Sequence, residues 1–224
     1  LHFASAAVDA SLEQILPGLI AGAAIVVRPD PLWSATAFCR EVDRFGVTVI
    51  DVPPSYLHEV LHDAPDADTL KSVRLVITGG DALTPETVAL WKTSALAACR
   101  FVNAYGPTET TITSLVHEVG ADAGGPIPIG RPLPGEQAVI LDTYGEPTPV
   151  GVPGELYLGG GGLAIGYLNQ SEATQAAFVE SPAVPGQRLY RTGDAACWRA
   201  DGTIAFLGRR DHQVKVRGYR VECG

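Results

Sequence analysis

The sequence predicts an α/β fold in which a helix-covered, mostly parallel sheet is followed by a small β-rich, barrel-like subdomain. Two observations carry this. Over residues 1–122, short β-prone runs alternate with stretches of helical spacing, the pattern of strands joined by crossover helices. Beyond residue 122 the texture changes. Gly and Pro crowd 124–135 and 145–154, and closely spaced β-prone runs follow.

The elements follow in order. Residues 13–20 place apolar side chains at helical spacing, and 24–27 form a β-prone run ending before Pro29. Residues 34–45 read as a helix and 47–50 as a buried strand. Pro53 and Pro54 punctuate, and 55–63 reads as a second helix. A strand at 73–77 stops at Gly79 and Gly80. A helix at 84–95 starts behind Thr84 and Pro85, and a strand covers 100–102. In the β-rich part, strands are expected at 137–141, 155–158, 187–190, 195–199 and 203–207, with one helix near 171–179. This divides the chain into 1–122, 123–207 and a terminal 208–224.

Composition narrows the function. The 224 residues are 46% hydrophobic and 18% charged, as in ordered globular proteins. No apolar run reaches the ~18–20 residues needed to span a bilayer, so no membrane partner is expected. The net charge of −9 repels polyphosphate backbones, which argues against nucleic acid. A small anion such as ATP could still bind through local donors or a metal. Cys39, Cys99, Cys197 and Cys223 are scattered and form no C-x-x-C pair, in keeping with free thiols in a reducing cytoplasm.

Three strings carry the chemistry. Asn103, Ala104, Tyr105, Gly106, Pro107, Thr108 and Glu109 follow an expected strand, at the carboxyl end of the parallel sheet where open α/β folds bind ligands. Glu109 is a hard carboxylate suited to Mg²⁺. Tyr190 to Asp194 puts a carboxylate beside a glycine turn, where it could accept hydrogen bonds from vicinal ribose hydroxyls. The third string runs from Gly208 to Glu222 and opens with Arg209. In this order and spacing, the three resemble the amino-acid-activating (adenylation) domains of nonribosomal peptide synthetases, within the adenylate-forming enzyme superfamily.

The resemblance implies roles. Tyr105 stacks on adenine, Asn103 bonds its edge, and Gly80, Gly106 and Phe206 lie around the nucleotide. Thr108 contacts the α-phosphate and, with Glu109, forms the catalytic pair; Glu109 holds magnesium. Asp194 grips the ribose, and Arg209 reaches the ribose and phosphate side. Asp211 matches the hinge of a C-terminal lid, and the chain is expected to be truncated where that lid begins. The run from Gly154 to Tyr167 resembles a further motif of the family, with Ile165 where an arginine is usual. That glycine run lacks the long following helix of a dinucleotide-binding unit.

The substrate pocket is also read from resemblance. Residues 3–11 are similar to a Phe-Asp-x-Ser motif with Val8 in place of its phenylalanine, which makes Asp9 the partner of the amino acid's α-ammonium group. The pocket wall is then Asp9, Ala10, Glu13, Ser55, Ile77, Gly79, Ala104, Ile112 and Thr113. Ala10, Gly79 and Ala104 leave depth, and Ile77 and Ile112 line an apolar channel. A buried Glu13 needs a cation. Lysine suits it best, then ornithine or arginine. If Glu13 instead faces solvent from the first helix, a neutral amino acid fits.

The expected activity is ATP-dependent formation of an aminoacyl-AMP with release of pyrophosphate, then transfer to a phosphopantetheine thiol. The partners are the peptidyl carrier and condensation domains of the same synthetase. The family's phosphate-binding loop and catalytic lysine are not found in residues 1–224, so the chain alone is expected to be inactive. Two alternatives stand beside this: an acyl- or aryl-CoA ligase of the same superfamily, and a non-catalytic nucleotide-binding remnant.

Overall fold

The structure, a computed structural model, describes residues 1–63, 69–120, 125–181, 183–210, 213–216 and 219–222; for the last two stretches it gives the backbone only. The contacts divide the chain into two compact units. The first comprises Leu1–Asn103 and Glu118–Ile127, the second Ala104–His117 and Pro128–Gly224.

The first unit is built from helices and parallel strands: α1 (Ala10–Ile20), α2 (Ala35–Phe45), β1 (Val49–Asp51), α3 (Pro54–Asp63), β2 (Leu75–Gly79), α4 (Pro85–Thr93) and the start of β3 (Arg100–Tyr105). β1 and β2 pair in parallel, Val49 opposite Leu75 and Asp51 opposite Ile77. Local chemistry sets the helix ends. Ser34 caps α2 by accepting from Ala37 N–H, and Gly46 closes it with φ 59°, a left-handed conformation that glycine adopts without Cβ strain. Thr84 caps α4 in the same way as Ser34, with Pro85 in the first turn. Phe38, Ile50, Leu57, Val76, Leu96 and Phe101 fill the core. Phe3, Phe38 and Tyr56 meet there, with Phe3 and Tyr56 ring centroids 4.6 Å apart.

Two local expectations are corrected. Residues 24–27 form no strand. Val27 makes a single bridge with His2, through hydrogen bonds from His2 N–H to Val26 O and from Arg28 N–H to His2 O. No second residue pair extends that ladder. β3 runs on to Tyr105, so Asn103 and Ala104 lie inside a strand rather than after one. α1 forms at its expected place, but Leu12, Leu16, Leu19 and Ile20 stay at least half exposed and only Ser11 is buried.

The second unit is antiparallel. After the end of β3 come a single 3-10 turn (Thr108–Thr110), β4 (Leu115–Glu118), β5 (Arg131–Pro132), β6 (Glu136–Leu141), β7 (Gly154–Gly160), α5 (Ser171–Ala177), β8 (Phe178–Glu180), β9 (Arg188–Trp198), β10 (Ile204–Arg209), β11 (Gln213–Val216) and β12 (Tyr219–Glu222). The main sheet runs β10-β9-β7-β6, with β8 also on β9. Leu115, Ile140, Leu156, Leu158, Ala196 and Ile204 make its core. The two strands expected at 187–190 and 195–199 are one, β9. Its register against β7 shifts between Glu155 and Tyr157, and Gly193 takes φ 75° there. Thr192 Oγ1 donates to Leu156 O at 2.7 Å and accepts Asp194 N–H at 3.0 Å, so a side chain satisfies backbone groups that the bulge leaves unpaired. Asp194 therefore projects from within a strand. The α/β class and its β-rich companion are as expected. No helix among the described residues is long and apolar enough to cross a membrane.

Candidate functional site

The turn after β3 is tightly determined. Ser114 N–H bonds Tyr105 O at 2.9 Å, returning the chain across Gly106. A Cβ on Gly106 would stand 2.2 Å from Ile112 O, so only glycine fits. Thr111 and Ile112 both take positive φ, 59° and 72°, and Thr113 N–H bonds Thr111 O at 2.9 Å. A β-branched residue in this region is strained. The turn leaves Thr108 exposed and buries Glu109, at 7% exposure.

Asp194 is the hub of the second unit. Arg209 Nη1 donates to its Oδ1 at 2.8 Å, and the Tyr105 hydroxyl donates to its Oδ2. Arg209 and Asp194 are directly opposed across β10 and β9, so the sheet register sets the pair. Both side chains are largely buried. Burial, then the neighbouring Asp194 carboxylate, push the Tyr105 phenol well above its ordinary pKa, so it remains a donor. Phe206 lies beside Tyr105, ring centroids 6.4 Å apart and tilted by 42°. The structure thus gathers Tyr105, Asp194, Phe206 and Arg209.

A second cluster surrounds Glu109. Tyr167 O–H donates to Glu109 Oε1 at 2.5 Å, and Ala164 N–H bonds Glu109 O at 2.9 Å. Thr111 Oγ1 donates to Gly162 O at 2.6 Å, and Gly162 N–H bonds Glu136 Oε1 at 2.9 Å. The glycine run is therefore a strap over the turn. Ile165 points away from it, 93% exposed. Tyr167 also lines a cavity of about 470 Å³ with Tyr190, Thr192, Arg209 and the Glu155–Arg191 pair. In that pair Arg191 grips Glu155 at 2.7 and 3.1 Å.

Among the described residues no group of three or more His, Cys, Asp or Glu could hold a metal by itself. Magnesium fits the donor chemistry nonetheless, because it is commonly bound by one or two carboxylates together with substrate phosphates and water.

Of the expected pocket wall, Asp9, Ala10, Glu13, Ser55, Ile77 and Gly79 lie in the first unit, and Ala104, Ile112 and Thr113 in the second. Gly80 and Asn103 also belong to the first. Asp9 caps α1, its Oδ1 accepting Ala10 N–H at 2.8 Å. Glu13 stands half-buried in the first turn, Ser55 is exposed in α3, and Ile77 and Gly79 are half-buried at the end of β2. Asn103 is buried at 4% exposure. Asp211 lies outside the described residues.

Sequence reasoning missed Tyr167, which it quoted in a motif without a role, and Asp51. Gln14 Nε2 donates to Asp51 Oδ2 at 3.1 Å and to its backbone O at 3.0 Å. Burial raises the Asp51 carboxyl to about 7, and Glu13 adds to the rise.

The model of the family described as AMP-binding enzyme matches residues 1–168. Tyrocidine synthase 1 of Brevibacillus parabrevis is 40% identical over 225 residues, 99% of this chain and 20% of that protein. Bacitracin synthase 1 of Bacillus licheniformis is 40% identical over 222 residues, 96% of this chain and 4% of that protein. The chain thus spans a fifth or less of these curated relatives. Among solved structures, PA1221, an NRPS protein with adenylation and PCP domains bound to a vinylsulfonamide inhibitor, superposes with TM-score 0.89 at 32% identity, over 99% of this chain and 39% of that one. The Vibrio cholerae adenylation domain AlmE, in complex with glycyl-adenosine-5'-phosphate, does so with TM-score 0.88 at 33% identity, over 99% of this chain and 42% of that one.

Proposed function

Because this chain belongs to the AMP-binding enzyme family, we propose that the whole protein carrying it activates an amino acid with ATP in nonribosomal peptide synthesis. The single observation that carries the reading is the convergence of Tyr105 and Arg209 on Asp194, which holds one carboxylate in a fixed plane beside an aromatic pair. A carboxylate so held suits a ribose diol, and the Tyr105 and Phe206 rings suit adenine. Asn103, Gly80 and Gly106 complete the nucleotide contacts in this reading.

The amino acid's carboxylate oxygen attacks the α-phosphorus of ATP, the bond to the bridging oxygen breaks, and pyrophosphate leaves. Thr108, exposed at the turn, donates to the α-phosphate. Glu109 holds magnesium, which when bound neutralises phosphate charge. No enzyme nucleophile is required, so catalysis rests on positioning and charge. The phosphopantetheine thiol of a carrier domain then attacks the aminoacyl carbonyl carbon, a thioester forms, the acyl–phosphate bond breaks and AMP leaves. The adenylation–PCP relative supports that partner, and the size of the synthetase relatives supports a condensation domain in the same cytoplasmic protein. Asp211 is the hinge for that second step.

Asp9 pairs with the α-ammonium group; the glycyl-adenylate complex of AlmE supports an amino acid as substrate. We assign a basic side chain, lysine first and then ornithine or arginine. Its support is electrostatic: Glu13 is half-buried and close enough to Asp51 to raise that carboxyl, so a cation beside Glu13 would be stabilised. Amino-acid-dependent ATP–pyrophosphate exchange by the whole protein tests both levels. Lysine- or ornithine-dependent exchange that falls about tenfold or more in Glu13→Gln, the scale of a lost charged hydrogen bond, supports the reading. Exchange with a neutral amino acid, indifferent to Glu13, removes the basic substrate. Activity with a fatty acid alone moves the protein to the CoA ligases.

A further inference from the structure

Glu109 is held at two levels by one segment. Ala164 fixes its backbone, and three residues later Tyr167 fixes its side chain. We propose that Tyr167 is a positioning residue for Glu109, its phenol turning the carboxylate to meet a nucleotide-bound divalent cation. This rests on the reading of Glu109 as the carboxylate that holds that cation.

The geometry favours a dedicated contact over a chance one. At 2.5 Å the O–H···O distance is that of a charge-assisted hydrogen bond, the stronger class. Glu109 is buried, so the interaction is little screened by water. Tyr167 is itself anchored elsewhere. Its N–H bonds Thr174 Oγ1 at 2.9 Å, and its ring packs edge-on against Phe178 at 5.7 Å. Gly166 takes φ 152° just before it, and a Cβ there would stand 2.4 Å from Thr174 Cγ2. α5 and β8 therefore aim the phenol, and the strained turn presents the carboxylate to it. Partners that orient a metal-binding carboxylate commonly matter 10–100-fold to metal affinity.

Tyr167→Phe in the whole protein keeps the ring on Phe178 and removes only the hydroxyl. The readout is direct: Mn²⁺ binding in the presence of a non-hydrolysable ATP analogue, followed by electron paramagnetic resonance. We expect Mn²⁺ affinity to fall about tenfold or more, with amino-acid binding unchanged and the melting temperature lowered by about a few degrees, as the loss of a buried charge-assisted hydrogen bond requires. A double-mutant cycle with Glu109→Gln makes the claim specific. If Tyr167 acts through Glu109, adding Tyr167→Phe to Glu109→Gln changes Mn²⁺ affinity no further. Additive effects, or a Tyr167→Phe affinity within twofold of wild type while Glu109→Gln loses binding, would overturn the inference and leave the Glu109 reading intact. Failure of the wild type to bind Mn²⁺ with the analogue would overturn both. Should Tyr167→Phe not fold, Thr174→Val releases the Tyr167 N–H instead, and an unchanged affinity there would again overturn the inference.

Discussion

Asp51 in the first unit and Asp194 in the second are both carboxylates carried by strands, and their neighbours are opposites. Asp194 meets a guanidinium that is charged at every physiological pH and a phenol that only donates to it. Asp51 meets the neutral amide of Gln14 and the added negative charge of Glu13, with the Leu1 ammonium a weaker opposing influence. The first arrangement holds a charge in a fixed direction. The second holds a proton, and its carboxyl titrates near 7. Burial raises the Asp51 carboxyl and Glu13 adds to the rise, whereas at Asp194 a guanidinium is placed against the buried carboxylate.

Breaking the Asp194 cluster gives the largest expected effect. Asp194→Ala leaves Arg209 buried without its carboxylate and should cost about 3–5 kcal/mol in urea unfolding, the usual penalty for stripping one partner from a buried ion pair. Nucleotide binding should be lost with it; retained stability and affinity would show the pair to be idle. Next comes the pH dependence of Asp51. Unfolded, this carboxyl releases its proton near its ordinary 3.8; folded, it keeps it to about 7. The folded state binds more protons across that window. Its stabilisation is full below about pH 4 and is lost as pH rises through 7, a change of up to about 4 kcal/mol at about 1.4 kcal/mol per pH unit. Asp51→Asn should remove that slope, and a wild-type-minus-variant stability difference that stays flat from pH 4 to 7 would refute it. The smallest effect sharpens the contrast. Arg191 is 54% exposed, and Arg210 Nη1 stays 3.4 Å from the buried Glu155 carboxylate when Arg191 is removed, so Arg191→Ala should cost only about 1 kcal/mol by the same unfolding measurement.

Legibility followed the range of the interactions. α2 and α4 were readable because their ends rest on neighbouring residues, Ser34 with Gly46 and Thr84 with Pro85. The turn of Tyr105 to Glu109 and the partners Asp194 and Arg209 could be named from resemblance, although the contact from Tyr105 to Asp194 spans 89 positions. Their roles remain to be tested by the experiments above. The strand expected at 24–27 failed because β propensity cannot supply a partner, and His2 offers only one bridge. β9 appeared as two strands because Gly193 reads as a break, whereas the Thr192 side chain carries the sheet across it. Tyr167 and Asp51 were invisible as partners because their contacts lie 58 and 37 positions away and no local pattern announces them.

The two left-handed residues at Thr111 and Ile112 have one further consequence. A bulky residue held in that conformation stores about 1–3 kcal/mol of strain, and that energy works like a loaded spring beneath Glu109. Glycine at Ile112 would relax the spring. An effort to make this protein hardier by the usual route of relieving backbone strain would therefore loosen the turn that presents its buried carboxylate, trading aim for endurance.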